Sequence, residues 1–426
     1  MNQTAIRHDH GLARRMAVAA YVGTALEAYD YFLYGTAASI VFNRLYFTSH
    51  DPAVATLAAF ASFSIGFVAR PVGAALFGHI GDRLGRRRTL LVTVTMIGIV
   101  TGLIGVLPDF ATIGVAAPLL LTCLRVLQGI GVGGEWGGAI TLAVEHAPPS
   151  HRGRYAALPQ LGSPTGLLLS SGAFSLVSLL PPETFDAWAW RLPFLAAFPL
   201  LLIVVRMRRR IEETPEFARL VERDERRSVP LVDLFRNCLP ELLVGGAASM
   251  LGIGGFYLMT TFVISYGTMN LHLSPGLMLA ATLAAAVVEM AVLVVSGRLA
   301  DRIGSGSVCA LGGALTAVVA FPVFALIDTR TAVGVIVGVV VGVACLSTTF
   351  AVAGELLASL FPAGFRYSGV GVGYNIGGVV SGFIPVVASA LVAWSGGRSW
   401  PAAVLLVAVA LATGTGGLLA RRWASA

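Results

Sequence analysis

Arg125, Gln128 and Glu135 lie in the stretch RVLQGIGVGGEWGG (125–138), within an apolar segment running from about 112 to 144. Such a segment is long enough to cross a hydrocarbon core of roughly 30 Å. Charged side chains are costly in lipid, so ionisable groups at that depth face a bundle interior or a wet cavity and mark a transport pathway or proton relay. At about 100° per residue, Gln128 and Glu135 share nearly one face, with Arg125 about one residue position round from them. Glycines at 129, 131, 133, 134 and 137 thin the helix and let a neighbouring backbone approach. Three polar groups at that spacing read as a cavity wall; a buried ion pair that fixes packing is the alternative.

A second polar set lies earlier in the chain. Glu27, Asp30, Tyr31 and Tyr34 fall at i, i+3, i+4 and i+7, one stripe of a helix that is expected to face the cavity. A carboxylate at membrane depth is discharged by desolvation and recharged by a nearby cation, so a switchable partner makes it a proton carrier. Arg125 is the partner expected for Asp30. The expected cycle loads a proton on Asp30 from outside, releases Arg125 to substrate and unloads inside; coupling at Glu27, Glu135 or Glu289 is the alternative. Arg70, beside Pro71, reads as a packing or gating residue near a helix end, with contact to an anionic substrate as the alternative. Gln160, between Pro159 and Pro164, interrupts a helix, and such interruptions point toward binding sites. The second half offers Tyr257, Thr260, Thr261, Glu289, Glu355, Tyr374 and Asn375. Tyr31, Tyr34, Arg125, Gln128, Gln160, Tyr257, Tyr374 and Asn375 are therefore the expected substrate-binding set.

The elements that must position these groups follow from composition. The 426 residues are 56% hydrophobic and 12% charged, about half the charged fraction of a soluble domain; mean hydropathy is +0.81. The chain reads as a polytopic all-α membrane protein, surrounded by the lipid bilayer. Its formal charge of +7 does not read as nucleic-acid binding, because the arginines sit in short interhelical loops and termini, where positive charge sets topology. Lysine is absent, so arginine supplies every fixed cation. The scattered Cys123, Cys238, Cys309 and Cys345 show neither metal spacing nor a disulfide framework. No cleavable signal is apparent, so the first helix is its own insertion signal. The histidines form no paired ligand motif, which argues against a membrane enzyme and leaves no metal or cofactor expected. A channel is disfavoured by the absence of a filter signature.

Apolar segments at about 16–43, 54–80, 89–107, 112–144, 155–181 and 191–205, then 239–269, 276–300, 307–327, 332–360, 367–394 and 400–420, give twelve helices. The division is 1–205, a polar linker at 206–237, partly helical, and 238–426. Arginines at 7, 14, 15, 83, 86–88, 152, 154, 302, 366, 421 and 422, with those of the linker, outnumber the opposite set at 44, 191, 330 and 398. Both termini and the linker are thus expected in the cytoplasm. An internal repeat supports two halves: Gly78-His-Ile-Gly-Asp82-Arg83-Leu-Gly85 is echoed by Gly297-Arg-Leu-Ala-Asp301-Arg302-Ile-Gly304. Arg152-Gly-Arg-Tyr is echoed more loosely by Arg366-Tyr-Ser-Gly. Duplicated six-helix halves with a binding site near the midplane are a transporter plan.

At these residues the chain resembles the major facilitator superfamily, and within it the metabolite:proton symporters. GHIGDRLGRRR (78–88) matches the superfamily's signature loop. ALEAYDYFLYG (25–35), VARPVGAALFG (68–78), RVLQGIGVGGEWGGA (125–139), EHAPPSHRG (145–153), IEETPEF (211–217) and FRYSGVGVGYNIGG (365–378) extend the likeness along almost the whole chain. The resemblance implies proton-coupled uptake of a small organic acid, such as shikimate or a di- or tricarboxylate, by a monomer in a bacterial inner membrane. Proline or betaine uptake, or proton-driven export, are the alternatives it leaves. Tyr29-Asp30 with Arg125 also resembles the proton site of proton-coupled sugar porters. The signature reads as a gate in which Asp82 meets the start of helix 11 near Tyr367. Arg83, Arg86 and Arg87 are expected to pair with Glu145, Glu212 and Glu213, while Gly78, Gly85, Arg152, Asp301 and Arg366 complete the gate. Ser305-Gly-Ser307 stands where the first half has Arg86–Arg88, so the second gate is expected to differ from the first.

Overall fold

The computed structural model describes residues 10–47, 52–209, 213–223 and 230–424. Arg7, His8, His50 and Glu212 lie outside the described residues. The helices in order are α1 (His10–Ala37), α2 (Pro52–Leu84), α3 (Arg86–Val106), α4 (Ala116–His146), α5 (Arg152–Gln160 and Gly162–Val177) and α6 (Ala197–Arg208, entered through Leu192–Leu195). After the linker come α7 (Leu239–Met269, with π-helical turns), α8 (Pro275–Ile303), α9 (Ser305–Asp328), α10 (Ala332–Leu360), α11 (Arg366–Gly382 and Ile384–Trp394) and α12 (Trp400–Ala424). Among the described residues, nine of these helices are long and apolar enough to cross a membrane on length and composition. The other three are α1, which carries the polar stripe, α2, and α5, which breaks at Leu161.

Large apolar side chains such as Val68, Leu119, Leu176, Leu202, Val287, Val318 and Trp394 are exposed on the outside of the bundle. A soluble monomer does not leave so much apolar surface bare; here it is the lipid-facing belt. The polar groups are folded inward instead. Asp30, Arg125, Gln128, Glu135, Glu145, Arg208 and Glu289 are all buried.

One difference from the sequence reading has a local cause. The signature motif is helix rather than loop: α2 runs to Leu84 and α8 to Ile303, because nothing in either repeat interrupts the i to i−4 ladder before the terminal glycine. Gly85 (φ 114°) and Gly304 (φ 83°) then stop the helices in a conformation that favours glycine. In the linker, helices form at Pro215–Glu222 and Pro230–Asn237, the first capped by Thr214, whose side chain accepts the Phe217 N–H.

The two halves cross most closely where α2 meets α11 and where α5 meets α8. In each repeat the glycine precedes the aspartate by four residues and so shares its face. A Cβ on Gly78 would stand 2.8 Å from the Ser368 Cα, and one on Gly297 would stand 2.6 Å from the Ala157 Cβ. Only a hydrogen fits at either crossing, and that close approach brings the following aspartate to the partner helix.

Candidate functional site

The stripe on α1 does not face the cavity as a whole, as expected from its spacing, but divides between two environments. Asp30 and Tyr34 turn into the first half, whereas Glu27 and Tyr31 turn toward the space between halves. Inside the first half, Asp30 Oδ1 accepts the Thr101 hydroxyl of α3 at 2.6 Å and the Gln128 amide of α4. Gln128 in turn accepts from Arg125 Nη1 at 2.5 Å. Arg125 lies 3.7 Å from Asp30 Oδ2 and stacks over the Tyr34 ring at 4.4 Å. The Tyr34 hydroxyl and the Ser62 hydroxyl are hydrogen-bonded at 2.8 Å. Asp30 Oδ2 is buried with no hydrogen-bond partner among the described residues, which leaves one carboxylate oxygen open for a proton.

Glu135 is held elsewhere. Both its oxygens are engaged by Arg208 at the end of α6, one of them also by the Thr93 hydroxyl at 2.6 Å, and Arg208 donates further to the Leu90 carbonyl at 2.9 Å. Gln128 and Glu135 thus share a face, as their spacing requires, but that face looks onto Thr101 and Thr93 of α3 rather than onto a cavity. The cavity-wall reading of this face is corrected accordingly: Arg125, Gln128 and Tyr34 stand behind the wall, inside the first half. Gly129 and Gly133 of α4 serve packing against α2, since a Cβ at either would strike the backbone of Gly66 or Arg70, whereas Gly131 packs on α3 and Gly137 on α11.

The cavity lies between the halves. Thr24, Glu27, Tyr31, Arg70, Trp136 and Ser163 line it from the first half, and Tyr257, Glu289, Phe350 and Tyr374 from the second. Arg70, read from sequence as a packing or gating residue, is therefore a lining cation. Its guanidinium lies over Phe67 at 4.3 Å and Tyr31 at 5.4 Å, and it makes no ion pair among the described residues. Contact with an anionic substrate was the second reading for Arg70; its depth, judged from Pro71 and the signature motif, was set above it, but the distance along α2 says nothing about which face is wet. Glu27 Oε2 and Glu289 Oε2 are buried without a hydrogen-bond partner among the described residues. Tyr257 sits between π-helical turns at Leu251–Gly255 and Leu258–Phe262, an irregularity that often accompanies functional sites. The rings of Tyr31, Phe67 and Tyr257 cluster across the interface at centroid distances of 5.3–6.3 Å.

Toward the linker end, Trp136 and Tyr374 stack at 3.6 Å between centroids and form the cavity floor. Gln160 does not line the cavity. It accepts from Trp136 Nε1 at 3.1 Å and donates to the Phe350 carbonyl at 3.0 Å, joining the halves beneath that floor. Asn375 also lies off the main cavity, in a small pocket beside Arg70 and Phe67, with its amide on the Gly371 carbonyl.

Below the floor, the linker end is interlocked. Asp82 accepts the backbone N–H groups of Tyr367 and Ser368 at 3.1 and 2.8 Å, at the N-terminus of α11, where free donors and the helix dipole favour an anion. Asp301 repeats the arrangement on α5, accepting from Arg154 N at 3.2 Å and Arg154 Nε at 2.5 Å. Arg86 reaches Asp82 at 3.3 Å, Glu145 at 3.6 Å and the Ala363 carbonyl at 2.6 Å; Arg366 closes on Glu145 at 3.1 Å. Glu213 meets Arg86 and Arg87 through their backbone N–H groups, not through their guanidinium groups as expected. Arg87 donates instead to the Arg209 carbonyl, and Arg83 is exposed without an ion pair among the described residues. Arg152 pairs with Glu216 at 3.8 Å. Glu355, counted from sequence among pocket groups, lies near Arg152 and Asp301 at this end rather than in the cavity.

The comparisons agree with this architecture. The model of the Major Facilitator Superfamily matches residues 20–363. The shikimate transporter of Escherichia coli K12 is 37% identical over 412 residues, covering 96% of this chain and 94% of its own length. The proline/betaine transporter of the same organism is 33% identical over 418 residues, covering 96% and 83%. Among solved structures, the proton:xylose symporter XylE bound to 6-bromo-6-deoxy-D-glucose superposes with a TM-score of 0.73 at 16% identity, covering 96% of this chain and 94% of that one. That likeness speaks to fold alone. Family model, curated relatives and twelve-helix architecture together give one conclusion: this chain is a multi-pass membrane transporter for small molecules and belongs to the major facilitator superfamily.

Proposed function

We propose that the protein is a proton-coupled symporter that takes up a small organic acid across a bacterial inner membrane by alternating access. The carrying observation is Arg70, a cation on the wall of a cavity between the two halves, which lies over two aromatic rings and has no carboxylate within ion-pairing distance among the described residues, Glu27 of the same wall included. A substrate carboxylate supplies the missing anion, through the charge-assisted hydrogen bonds at which a guanidinium excels. Tyr31, Tyr257, Tyr374 and Trp136 enclose the remainder of the substrate. The name of the shikimate transporter, at 37% identity, supports a metabolite of this kind.

Proton coupling is assigned to the Asp30–Arg125 pair. Asp30 Oδ2 takes the proton, and the freed Arg125 rearranges on Gln128 and Tyr34 behind the wall formed by Glu27 and Tyr31. The halves, 1–205 and 238–426, rock about the cavity with the 206–237 linker and both termini in the cytoplasm. The Asp82–α11 and Asp301–α5 contacts close the cytoplasmic side and part when it opens. A zwitterionic substrate is the second reading, favoured by the aromatic lining together with Glu27 and Glu289. Reconstitution into vesicles tests the proposal. Labelled organic acid should accumulate when the outside is acidified, and a protonophore should abolish accumulation. Uptake indifferent to the protonophore overturns coupling, and accumulation only under the reversed gradient makes the protein an exporter.

A further inference from the structure

We infer that Glu289 and Glu27 set the substrate class: the cavity takes an acid with a single carboxylate whose far side carries hydroxyl groups. The inference rests on the reading of Arg70 as the carboxylate-binding group. Charge counting gives the first half of it. Arg70 is the one arginine lining the cavity among the described residues, and the lining includes no histidine. A second or third substrate carboxylate would therefore be desolvated without a cation and beside two carboxyl side chains, an arrangement that low dielectric penalises heavily.

Unfilled hydrogen-bonding capacity gives the second half. Glu289 sits at the middle of α8 with 1% of its surface exposed; Ser347 stands beside its carboxyl group, yet the residue lines the cavity and its Oε2 has no partner among the described residues. Glu27, on the opposite half, is half-buried, and its Oε2 also lacks a partner among the described residues. Buried polar atoms left unpartnered are rare and costly, and ligand donors between the two halves would satisfy both at once. Hydroxyl groups provide such donors whether a carboxyl group is charged or neutral, since a hydroxyl both gives and accepts. A quaternary ammonium offers none. Contact with both halves also explains how occupancy draws them together: the ligand bridges α1 and α2 on one side to α8 on the other.

The test uses the full-length protein in proteoliposomes, with shikimate, succinate, citrate and glycine betaine each competing against labelled shikimate in counterflow. Shikimate is expected to bind at least tenfold more tightly than the other three. Both E289Q and E27Q should weaken shikimate and narrow its lead over succinate by at least threefold. Succinate, citrate or betaine equal to shikimate in the unaltered protein overturns the inference, and so does a shikimate-to-succinate ratio unchanged in both variants. If direct binding, read by thermal shift, shows that none of the four binds, or that R70Q binds them as the unaltered protein does, the reading of Arg70 falls as well.

Discussion

Replacing Asp30 by asparagine keeps the side chain's shape and removes its charge. Thr101 and Gln128 can still donate to the remaining Oδ1, from 2.6 Å in the case of Thr101. Arg125 loses the carboxylate 3.7 Å away and retains Gln128 and the Tyr34 ring. Removing one member of a buried pair costs about 3–5 kcal/mol, because the other charge stays buried. The long separation and a cation–π contact worth up to about 2 kcal/mol place Asp30→Asn near the lower end, at about 3 kcal/mol. Neutralising both groups, as Asp30→Asn with Arg125→Gln, should therefore cost less than the sum of the single changes, with a coupling of at least about 1 kcal/mol. Thermal unfolding of the purified variants reads the stability side. For transport, Asp30→Asn should retain counterflow exchange and lose accumulation driven by a pH gradient. If Asp30→Asn still concentrates substrate in response to that gradient, Asp30 does not carry the coupling proton and the reasoning fails.

Further outcomes follow from the same contacts. Glu135→Gln leaves Arg208 buried without its carboxylate, so thermal stability should fall by about 3–5 kcal/mol while proton coupling in vesicles is unaffected; lost coupling would return Glu135 to the relay. Gly78→Val and Gly297→Val place side-chain atoms where the built Cβ already stands 2.8 and 2.6 Å from the partner half. Each should raise labelling, from the cytoplasmic side, of a cysteine substituted for Tyr374 in a cysteine-free background; unchanged labelling would mean that the crossing is not the seal. Trp136→Ala removes the stack on Tyr374 and the bond to Gln160, at a cost of about 3–5 kcal/mol, and should raise cytoplasmic labelling of a cysteine substituted instead for Ser163, which lines the cavity.

The helical legs were legible because twenty-odd apolar residues punctuated by arginine loops admit few other structures. Asp82 at the start of α11 was legible too, since an acid in an otherwise basic motif needs a reason of its own. The meeting of Asp30 with Arg125 was read from chemistry: two opposite charges at membrane depth require each other. Which way a polar face looks was not legible. Periodicity put Gln128 and Glu135 on one face of α4, but that face points to Thr93 and Thr101, a fact that resides in how α3 packs. One residue on, Trp136 is turned by about 100° and faces the cavity instead. Glu135 found its partner in Arg208, which the sequence had filed among the positive charges of the linker, because α6 continues past the apolar segment. The same limit put packing ahead of substrate contact for Arg70 and misplaced Glu355, whose surroundings come from helices distant in sequence.

The central claim is that Arg70 holds the transported anion between the halves. Measuring the affinity of Arg70→Gln for labelled organic acid in counterflow tests it most directly. Loss of a charge-assisted bond worth about 1.5–3 kcal/mol predicts a fall of roughly ten- to hundredfold, with the unfolding temperature close to that of the unaltered protein. An Arg70→Gln variant that folds and binds the acid with undiminished affinity would contradict the account.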